Sequence, residues 1–539
     1  MAREEDTYAV GVTYQDDEET DRIARHRSLY LSRLGKIWLG VKADERKCEW
    51  SSLNLKAPLN DRQRSTRIFE MKLKEFGTSR SRILIVWLLA TLSIQGVFAA
   101  EKPNIIFILA DDLGYGDLGS YGQKHVATPS LDRMAAEGMR FTQHYSGSTV
   151  CAPSRCSLLT GKHTGHSAIR DNQRVAGAGG FGGMPLGPSE VTVAEVLKEV
   201  GYDTAIIGKW DLAGPDASGI PNHEGFDYSF GYLHSARAHS HYPNYLWRNG
   251  EKVLLKGNEN GQGTQYAHDL FTQEALDYVD EERRNPFLLY LAYTIPHAEL
   301  VVPKDSMKPY LGRFNEKPFK RSESWKWKPG GYQGQEHPKA AFAGMISRMD
   351  RDIGRLLDRL EERGLDQNTL VIFSSDNGAH REGGADPLFF KGSGPLRGMK
   401  RDLYEGGIRV PLIARWPGTI EQGIASDHLS ASWDILPTFA ELGGAETPAG
   451  IDGVSMVPTL IGQSSQQDQH EILYWEFQQK RALRMGDWKT VQPDGQDGPL
   501  ELYNLKNDIG ETQDLSKRHP EILARIKKIM KESRVEPGR

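Results

Sequence analysis

Chemistry concentrates in the stretch Cys151-Ala-Pro-Ser-Arg-Cys-Ser-Leu-Leu-Thr-Gly161. Pro153 suits the first turn of a helix, because the N–H it lacks would have no intrahelical partner there. The spacing therefore puts Cys151 near a helix N-terminus, where free backbone N–H groups and the macrodipole favour an anion. Arg155 adds a planar fork of donors suited to a tetrahedral oxyanion. A second set consists of oxygen donors, Asp111-Asp112 and Asp376-Asn377. With no histidine or thiol paired to them, these hard ligands suit calcium or magnesium and not zinc. Taken alone, a CxPxR segment is a helix start beside a buried cysteine, and an aspartate after a strand caps a turn. The chemistry depends on whether the fold unites the two sets.

The pattern around them is α/β. Asn104-Ile-Ile-Phe-Ile-Leu-Ala110 is a continuous apolar run, as expected of a strand buried on both faces of a parallel sheet, and it ends in Asp111-Asp112. Asp203-Thr-Ala-Ile-Ile-Gly ends at Lys209, Phe287-Leu-Leu-Tyr-Leu-Ala-Tyr runs out to Pro296-His297, and Thr369–Ser375 leads into Asp376-Asn377. Four strands thus deliver polar residues at their C-terminal ends, the edge at which open parallel sheets bind ligands. Helices are predicted from Thr128-Pro129 to Gly138, from the capping box Thr192-x-x-Glu195 to Gly201, and over Ala341–Arg363. After about residue 430 a helix at Trp433–Phe439 gives way to short alternating segments, Glu471–Phe477, Ala482–Met485, Trp488–Val491 and Glu501–Leu505. These predict an antiparallel sheet, followed by an amphipathic last helix carrying Ile522, Leu523, Ile526, Ile529 and Met530.

Bulk composition narrows the partners. The 539 residues carry 38% hydrophobic and 26% charged residues, the balance of a soluble globular protein. A formal net charge of −5 argues against nucleic acid as a partner, so an anionic substrate needs a local basic pocket. Three cysteines, Cys48, Cys151 and Cys156, give no disulfide framework, and Cys156 reads as a small core residue. Residues 1–70 form a charged leader ahead of a self-sufficient export signal at 71–99. That signal has a basic start (Lys72, Lys74, Arg80, Arg82), an apolar run Ile83–Ile94 and the small-residue cleavage site Val97-Phe-Ala99. The apolar run is short and is followed closely by Gln95, so no stable membrane span is expected. Translation is expected to start at Met71, with residues 1–70 a misassigned leader, and the mature protein to be periplasmic or secreted from near Ala100.

The eleven residues Cys151–Gly161 resemble the sulfatase signature C-x-P-x-R-x-x-x-L-T-G. The resemblance spans about 102–515. It implies an alkaline phosphatase-like α/β fold, a mostly parallel mixed sheet flanked by helices. A catalytic domain at 100–430 and a smaller antiparallel subdomain at 431–539 are expected. It also implies oxidation of Cys151 to formylglycine by a maturation enzyme. The aldehyde hydrate has two hydroxyls, one to attack sulfur and one to expel sulfate afterwards. One divalent cation, usually calcium, would be held by Asp111, Asp112, Asp376, Asn377 and the residue at 151. Gly208-Lys209-Trp210 matches a motif whose lysine contacts sulfate, and Lys400, ahead of Tyr404-Glu-Gly-Gly407, matches a second. Tyr293-Thr-Ile-Pro-His297 matches a segment whose histidine can protonate the leaving alcohol.

One position departs from the pattern. The family commonly has GKWHLG, whereas this chain has Asp211 after Trp210. Asp211 can accept the hydrogen bond of a formylglycine hydroxyl or bind a neighbouring sugar. Gly177-Ala-Gly179-Gly-Phe-Gly182 fits GxGxxG but follows no strand, so it is a loop and not a dinucleotide site. His163 and His166 read as core or surface residues. A polar-aromatic loop (His234, His239, His241, Tyr242, Tyr245, Trp247) and an insertion with Trp325, Trp327 and Tyr332 are candidate sugar walls. The expected activity is sulfate-ester hydrolysis on a sulfated carbohydrate or aryl sulfate. The alternatives are a phosphodiesterase or phosphonate hydrolase on the same fold, or a sulfated-glycan binding protein without turnover.

Overall fold

A computed structural model of the chain describes residues 102–172, 183–214, 218–321, 332–495 and 498–536. The expected leader and export signal (residues 1–99), Cys48, the Gly177–Gly182 segment, Trp325 and Trp327 lie outside the described residues.

The strands of the larger part are β1 (Asn104–Asp111), β2 (Met139–Phe141), β3 (His144–Tyr145), β4 (Asp203–Lys209), β5 (Tyr228–Tyr232), β6 (Tyr245–Arg248), β7 (Glu251–Leu254), β8 (Phe287–Pro296), β9 (Thr369–Ser375), β10 (Leu412–Arg415), β11 (Ile424–Ser426) and β12 (Ser430–Ala431). Ten of them form one sheet in the order β11-β2-β10-β9-β1-β8-β4-β5-β6-β7. Its centre, β9-β1-β8-β4-β5, is parallel, and antiparallel pairs appear where β10 joins β9 and where β6 joins β5. The four strands that the sequence ends in polar residues are the four neighbours β9, β1, β8 and β4. Their C-terminal ends therefore meet at one edge.

Alternation along each strand explains why these runs are apolar throughout. Ile106, Ile108 and Ala110 of β1 face one core, and Ile105, Phe107 and Leu109 face the other. The first core is closed by α1 (Pro129–Ala136), α4 (Ala267–Asp280) and α5 (Pro338–Glu362), and the second by α2 (Cys151–Thr160), α3 (Val193–Glu199) and α6 (Ile435–Gly443). Thr192 caps α3 through the reciprocal box read from its sequence. Helix α5 begins at Pro338, three residues before the apolar stripe, since proline is favoured in a first turn. Its buried Asp350 accepts from the N–H groups of Ser130 (3.1 Å) and Leu131 (2.8 Å), capping α1 from a neighbouring helix.

The C-terminal segments form the antiparallel sheet β13 (Leu473–Phe477), β14 (Lys480–Met485), β15 (Trp488–Gln492) and β16 (Glu501–Asn504). The last helix, α7 (Pro520–Glu532), buries Ile526 and Met530 against Tyr474, Leu483 and Leu502. A buried ion cluster ties this sheet to the segment after Lys400. Lys489 Nζ donates to Glu405 (2.9 Å) and lies 2.9 Å from Glu511, and all three side chains are fully buried. Burial works to raise the Glu405 pKa, but Lys489 and Arg409 hold its carboxyl down at about 2. Removing the cation leaves two carboxyls without their partner in a dry site. Lys489→Met is therefore expected to cost about 3–5 kcal/mol, measured by urea unfolding. A loss under 1 kcal/mol would show that the cluster is not coupled to the fold in this way.

Candidate active site

Helix α2 starts at Cys151, and all ten of its residues are buried, which no surface helix would tolerate. Gly161 ends it in the left-handed conformation (φ 70°). Cys156 lies inside the second core and does not pair with Cys151. The first residue of the helix thus points its Sγ at the strand edge, 3.3 Å from Asp111 Oδ1.

The strand ends supply the surroundings. Lys209 Nζ donates to Asp111 Oδ2 at 2.8 Å, and Lys400 Nζ donates to Asp112 Oδ2 at 2.7 Å. The Asn377 amide donates to Asp112 Oδ1 at 2.7 Å, and the Asp112 backbone N–H donates to Asp376 Oδ1 at 3.0 Å. His297 Nε2 stands 3.3 Å from Asp112 Oδ2. Asp112 is held at φ 67°, a left-handed conformation that aspartate tolerates better than most residues. Gly208 is required before Lys209, because a Cβ there would lie 1.9 Å from the Ala292 carbonyl oxygen on β8. All eight sequence candidates at the strand ends and helix start therefore converge with Lys400 on one buried centre.

Arg155 and Asp211 are both engaged by neighbouring protein groups. The Arg155 fork does not face an open oxyanion site. Its Nε and Nη2 donate to Asp376 Oδ2 (3.2 and 2.8 Å), and its Nη1 donates to the Lys209 carbonyl (2.9 Å). It is fully buried and braces β9 and β4 against α2. Asp211, at φ 74°, accepts from the Ser235 hydroxyl through Oδ1, while its buried Oδ2 has no hydrogen-bond partner and lies 3.6 Å from Lys209 Nζ.

Asp111, Asp112 and Asp376 share this space with Lys209, Lys400, Arg155 and His297. Burial works to raise the Asp111 pKa, but Lys209, with His297 and Arg155, holds it well below the usual range. Burial and the Asp111 charge push Asp376 up to about 7 despite its Arg155 pair. Burial, reinforced by Asp111, pushes the Cys151 thiol well up, so the sulfur is a neutral and sluggish nucleophile as it stands. Burial and then Lys400 hold His297 well below its ordinary value.

The donor set fits a cation. Ligand atoms of Asp111, Asp112, Cys151 and His297 lie within 4.8 Å of one another, and the buried Asn377 Oδ1 has no hydrogen-bond partner. An unpaired amide oxygen beside crowded carboxylates is what a hard divalent ion would satisfy.

Sequence reasoning missed His380 and Glu382, which sit on a loop with no periodicity to mark them. His380 Nε2 faces the Pro296 carbonyl oxygen at 3.1 Å, and Nδ1 accepts from the Glu382 N–H at 3.1 Å. Glu382 also pairs with Arg401. His163 and His166 lie away from this centre and hold Asp452, as core and half-buried residues. The candidate sugar loop is partly regular, with a short helix Ser235–Ala238 and strand β6 carrying Tyr245 and Trp247.

Comparison with known proteins bears on this geometry. Residues 103–445 match the Sulfatase family model, and residues 399–536 match that of the N-sulphoglucosamine sulphohydrolase C-terminal region. Mouse (Mus musculus) N-acetylgalactosamine-6-sulfatase is 32% identical over 440 residues, 77% of this chain and 76% of that protein. Human (Homo sapiens) arylsulfatase A is 32% identical over 494 residues, 80% of this chain and 88% of that protein. The crystal structure of Ps i-CgsB in complex with k-i-k-neocarrahexaose superposes with a TM-score of 0.67 at 28% identity, covering 81% of this chain and 94% of that one. The matched family model and these relatives together show that the chain belongs to the sulfatase family of sulfuric ester hydrolases.

Proposed function

We propose that this sulfatase is exported, acts on a sulfated carbohydrate, and works through a formylglycine made from Cys151 and one divalent cation, calcium by preference. The observation that carries this reading is Cys151 Sγ, 3.3 Å from Asp111, at the start of a fully buried helix and walled by Lys209 and Lys400. The sulfur marks the place of the formylglycine side chain. The carbohydrate class is supported by a relative named N-acetylgalactosamine-6-sulfatase and by a similar structure solved in complex with k-i-k-neocarrahexaose.

Asp111, Asp112, Asp376, Asn377 and the group at 151 would hold the cation, which supplies charge stabilisation and lowers the pKa of a bound hydroxyl. The remaining work belongs to the side chains. Lys209 and Lys400 supply fixed positive charge to sulfate oxygens in a site closed to water, where such contacts are strongest. Arg155 keeps Asp376 turned toward Asp112. His297 Nε2 lies beside Asp112, a ring nitrogen of His297 lies within 4.8 Å of Cys151 Sγ, and the ring can give a proton to the departing alcohol. Incoming sulfate adds negative charge among the lysines that depress His297, which favours its protonated form.

Peptide mass analysis of enzyme from the native host tests the central claim. It should show the aldehyde form at position 151, reactive toward a hydrazine, and an N-terminus near Ala100. An unmodified thiol in fully active enzyme, or peptides from residues 1–70 in the mature protein, would contradict the respective part. Turnover of an aryl phosphate diester in preference to an aryl sulfate would favour the phosphodiesterase alternative.

The cation is tested separately. Stripping metal with a chelator should abolish turnover, and calcium should restore it. Asp376→Ala should resist restoration, since it removes a ligand and unpairs Arg155. Undiminished activity with metal content confirmed near zero would refute the oxygen-ligand site.

A further inference from the structure

His297 is sandwiched between two other imidazoles. His239 lies against one side with ring centroids 4.5 Å apart and planes 13° apart, and His380 lies on the other side at 5.8 Å and 12°. The two flanking rings are not equivalent. His380 is buried with both nitrogens engaged, Nε2 toward the Pro296 carbonyl and Nδ1 by the Glu382 N–H. The His239 ring is partly exposed and makes no hydrogen bond among the described residues. A ring in that state beside the leaving-group histidine has donor and acceptor capacity to spare.

Its position is fixed from both sides. The His239 carbonyl accepts from the Glu299 N–H at 3.1 Å, and His241 Nε2 meets the His297 carbonyl at 3.0 Å. The short helix Ser235–Ala238 that delivers His239 is anchored where Ser235 donates to Asp211. Tyr332 closes the far edge, 5.7 Å from the His239 ring and 6.2 Å from the His297 ring. Lys209 and Lys400, assigned to sulfate in the reading above, are near enough to act electrostatically on both the His297 and His239 rings. A substrate laid across this arrangement puts its sulfate at Lys209 and Lys400, its bridging oxygen at His297 and its alcohol portion over His239. A neutral imidazole donates through one nitrogen and accepts through the other. That pairing suits a hydroxyl and not a second sulfate.

We propose that His239 is a specificity-determining residue, whose imidazole beside His297 exchanges hydrogen bonds with a hydroxyl next to the sulfated carbon of the substrate. The assignment rests on the carbohydrate reading above and adds to it a requirement for a free neighbouring hydroxyl. The test uses matured enzyme, 4-nitrophenyl sulfate and the most active member of a panel of sulfated hexoses, with its analogue deoxygenated at the adjacent carbon. In wild type, the deoxy analogue should lose about 10-fold in kcat/KM, the size of one neutral hydrogen bond. His239→Ala should lower the ratio of hexose to aryl activity by a similar factor, should no longer discriminate the deoxy analogue, and His239→Gln should recover part of the ratio. Equal losses on hexose and aryl sulfate would reduce His239 to a support for His297. An unchanged ratio, or a deoxy penalty that persists in His239→Ala, would overturn the contact outright. Wild type that turns over the aryl sulfate and none of the hexoses would instead defeat the carbohydrate reading, before any variant is made.

Discussion

Cys151→Ala should abolish hydrolysis of every sulfate ester while leaving the protein folded. Cys151 is a small side chain, 2% exposed, at the first position of a helix whose other nine residues are held by their own packing. Its loss removes one sulfur contact with Asp111 and creates little cavity, an effect of about 1 kcal/mol on stability. Activity, by contrast, loses the proposed nucleophile, and the expected fall is at least about 10⁴-fold. The measurement pairs initial rates on an aryl sulfate with the urea midpoint of the same preparation. A variant that is inactive because it is unfolded would betray itself in the second reading, and one that keeps a tenth of the activity would place the nucleophile elsewhere. Cys151→Ser sharpens the point. A hydroxyl at this position can take the sulfuryl group once, but the resulting ester has no second hydroxyl to expel sulfate. In a host that leaves the serine unconverted, the variant should release at most one equivalent of phenol and carry sulfate on the peptide containing position 151.

Much of this centre was legible because parallel strands write themselves plainly. β1, β4, β8 and β9 are buried on both faces, so each is an unbroken apolar run, and a polar residue can appear only where the run ends. Asp111, Lys209, His297 and Asp376 are those endings. Cys151 was legible for a different reason, since Pro153 and Gly161 punctuate a helix and the eleven residues fit the signature C-x-P-x-R-x-x-x-L-T-G. What stayed hidden depends on contacts between distant loops. Glu405, Lys489 and Glu511 look like solvated surface residues by type, and only tertiary pairing explains their burial. Ser235 gives no sign of reaching Asp211, and His380 gives none of lying against His297, because neither loop has a period. The orientation of Arg155 is likewise set by tertiary contacts. Its spacing from Cys151 fits an anion contact, but the same fork also fits the Asp376 carboxylate, and two hydrogen bonds to that buried acid claim it.

His297→Ala should divide substrates by the quality of their leaving group. A 4-nitrophenolate departs as a stable anion and needs little protonation, whereas a sugar alkoxide needs a proton as its bond to sulfur breaks. General acid catalysis supplies about 10²–10⁴-fold where it is needed. The expected result is therefore a loss of that order on a sulfated sugar and a much smaller loss on 4-nitrophenyl sulfate. Equal losses on both would remove the general acid role and leave His297 as a neighbour of Asp112 alone. Asp211→Asn is the necessary companion, because Asp211 is the residue by which this chain leaves its family's pattern. The side chain is 3% exposed, Oδ1 is engaged by Ser235, and Oδ2 lies 3.6 Å from Lys209 without a hydrogen bond. A carboxylate so placed bears on the nucleophile and sulfate end of the site, which every substrate shares. Asp211→Asn keeps size and hydrogen-bonding capacity but removes the charge opposite Lys209, so it should slow sugar and aryl sulfates alike. A loss confined to the sugar would move Asp211 to the saccharide side, and a harmless substitution would leave it as an anchor for Ser235. Crossing the two variants supplies the control: if His297 serves the leaving group and Asp211 the common step, their effects on the sugar sulfate should multiply, while on 4-nitrophenyl sulfate the double variant should match Asp211→Asn closely.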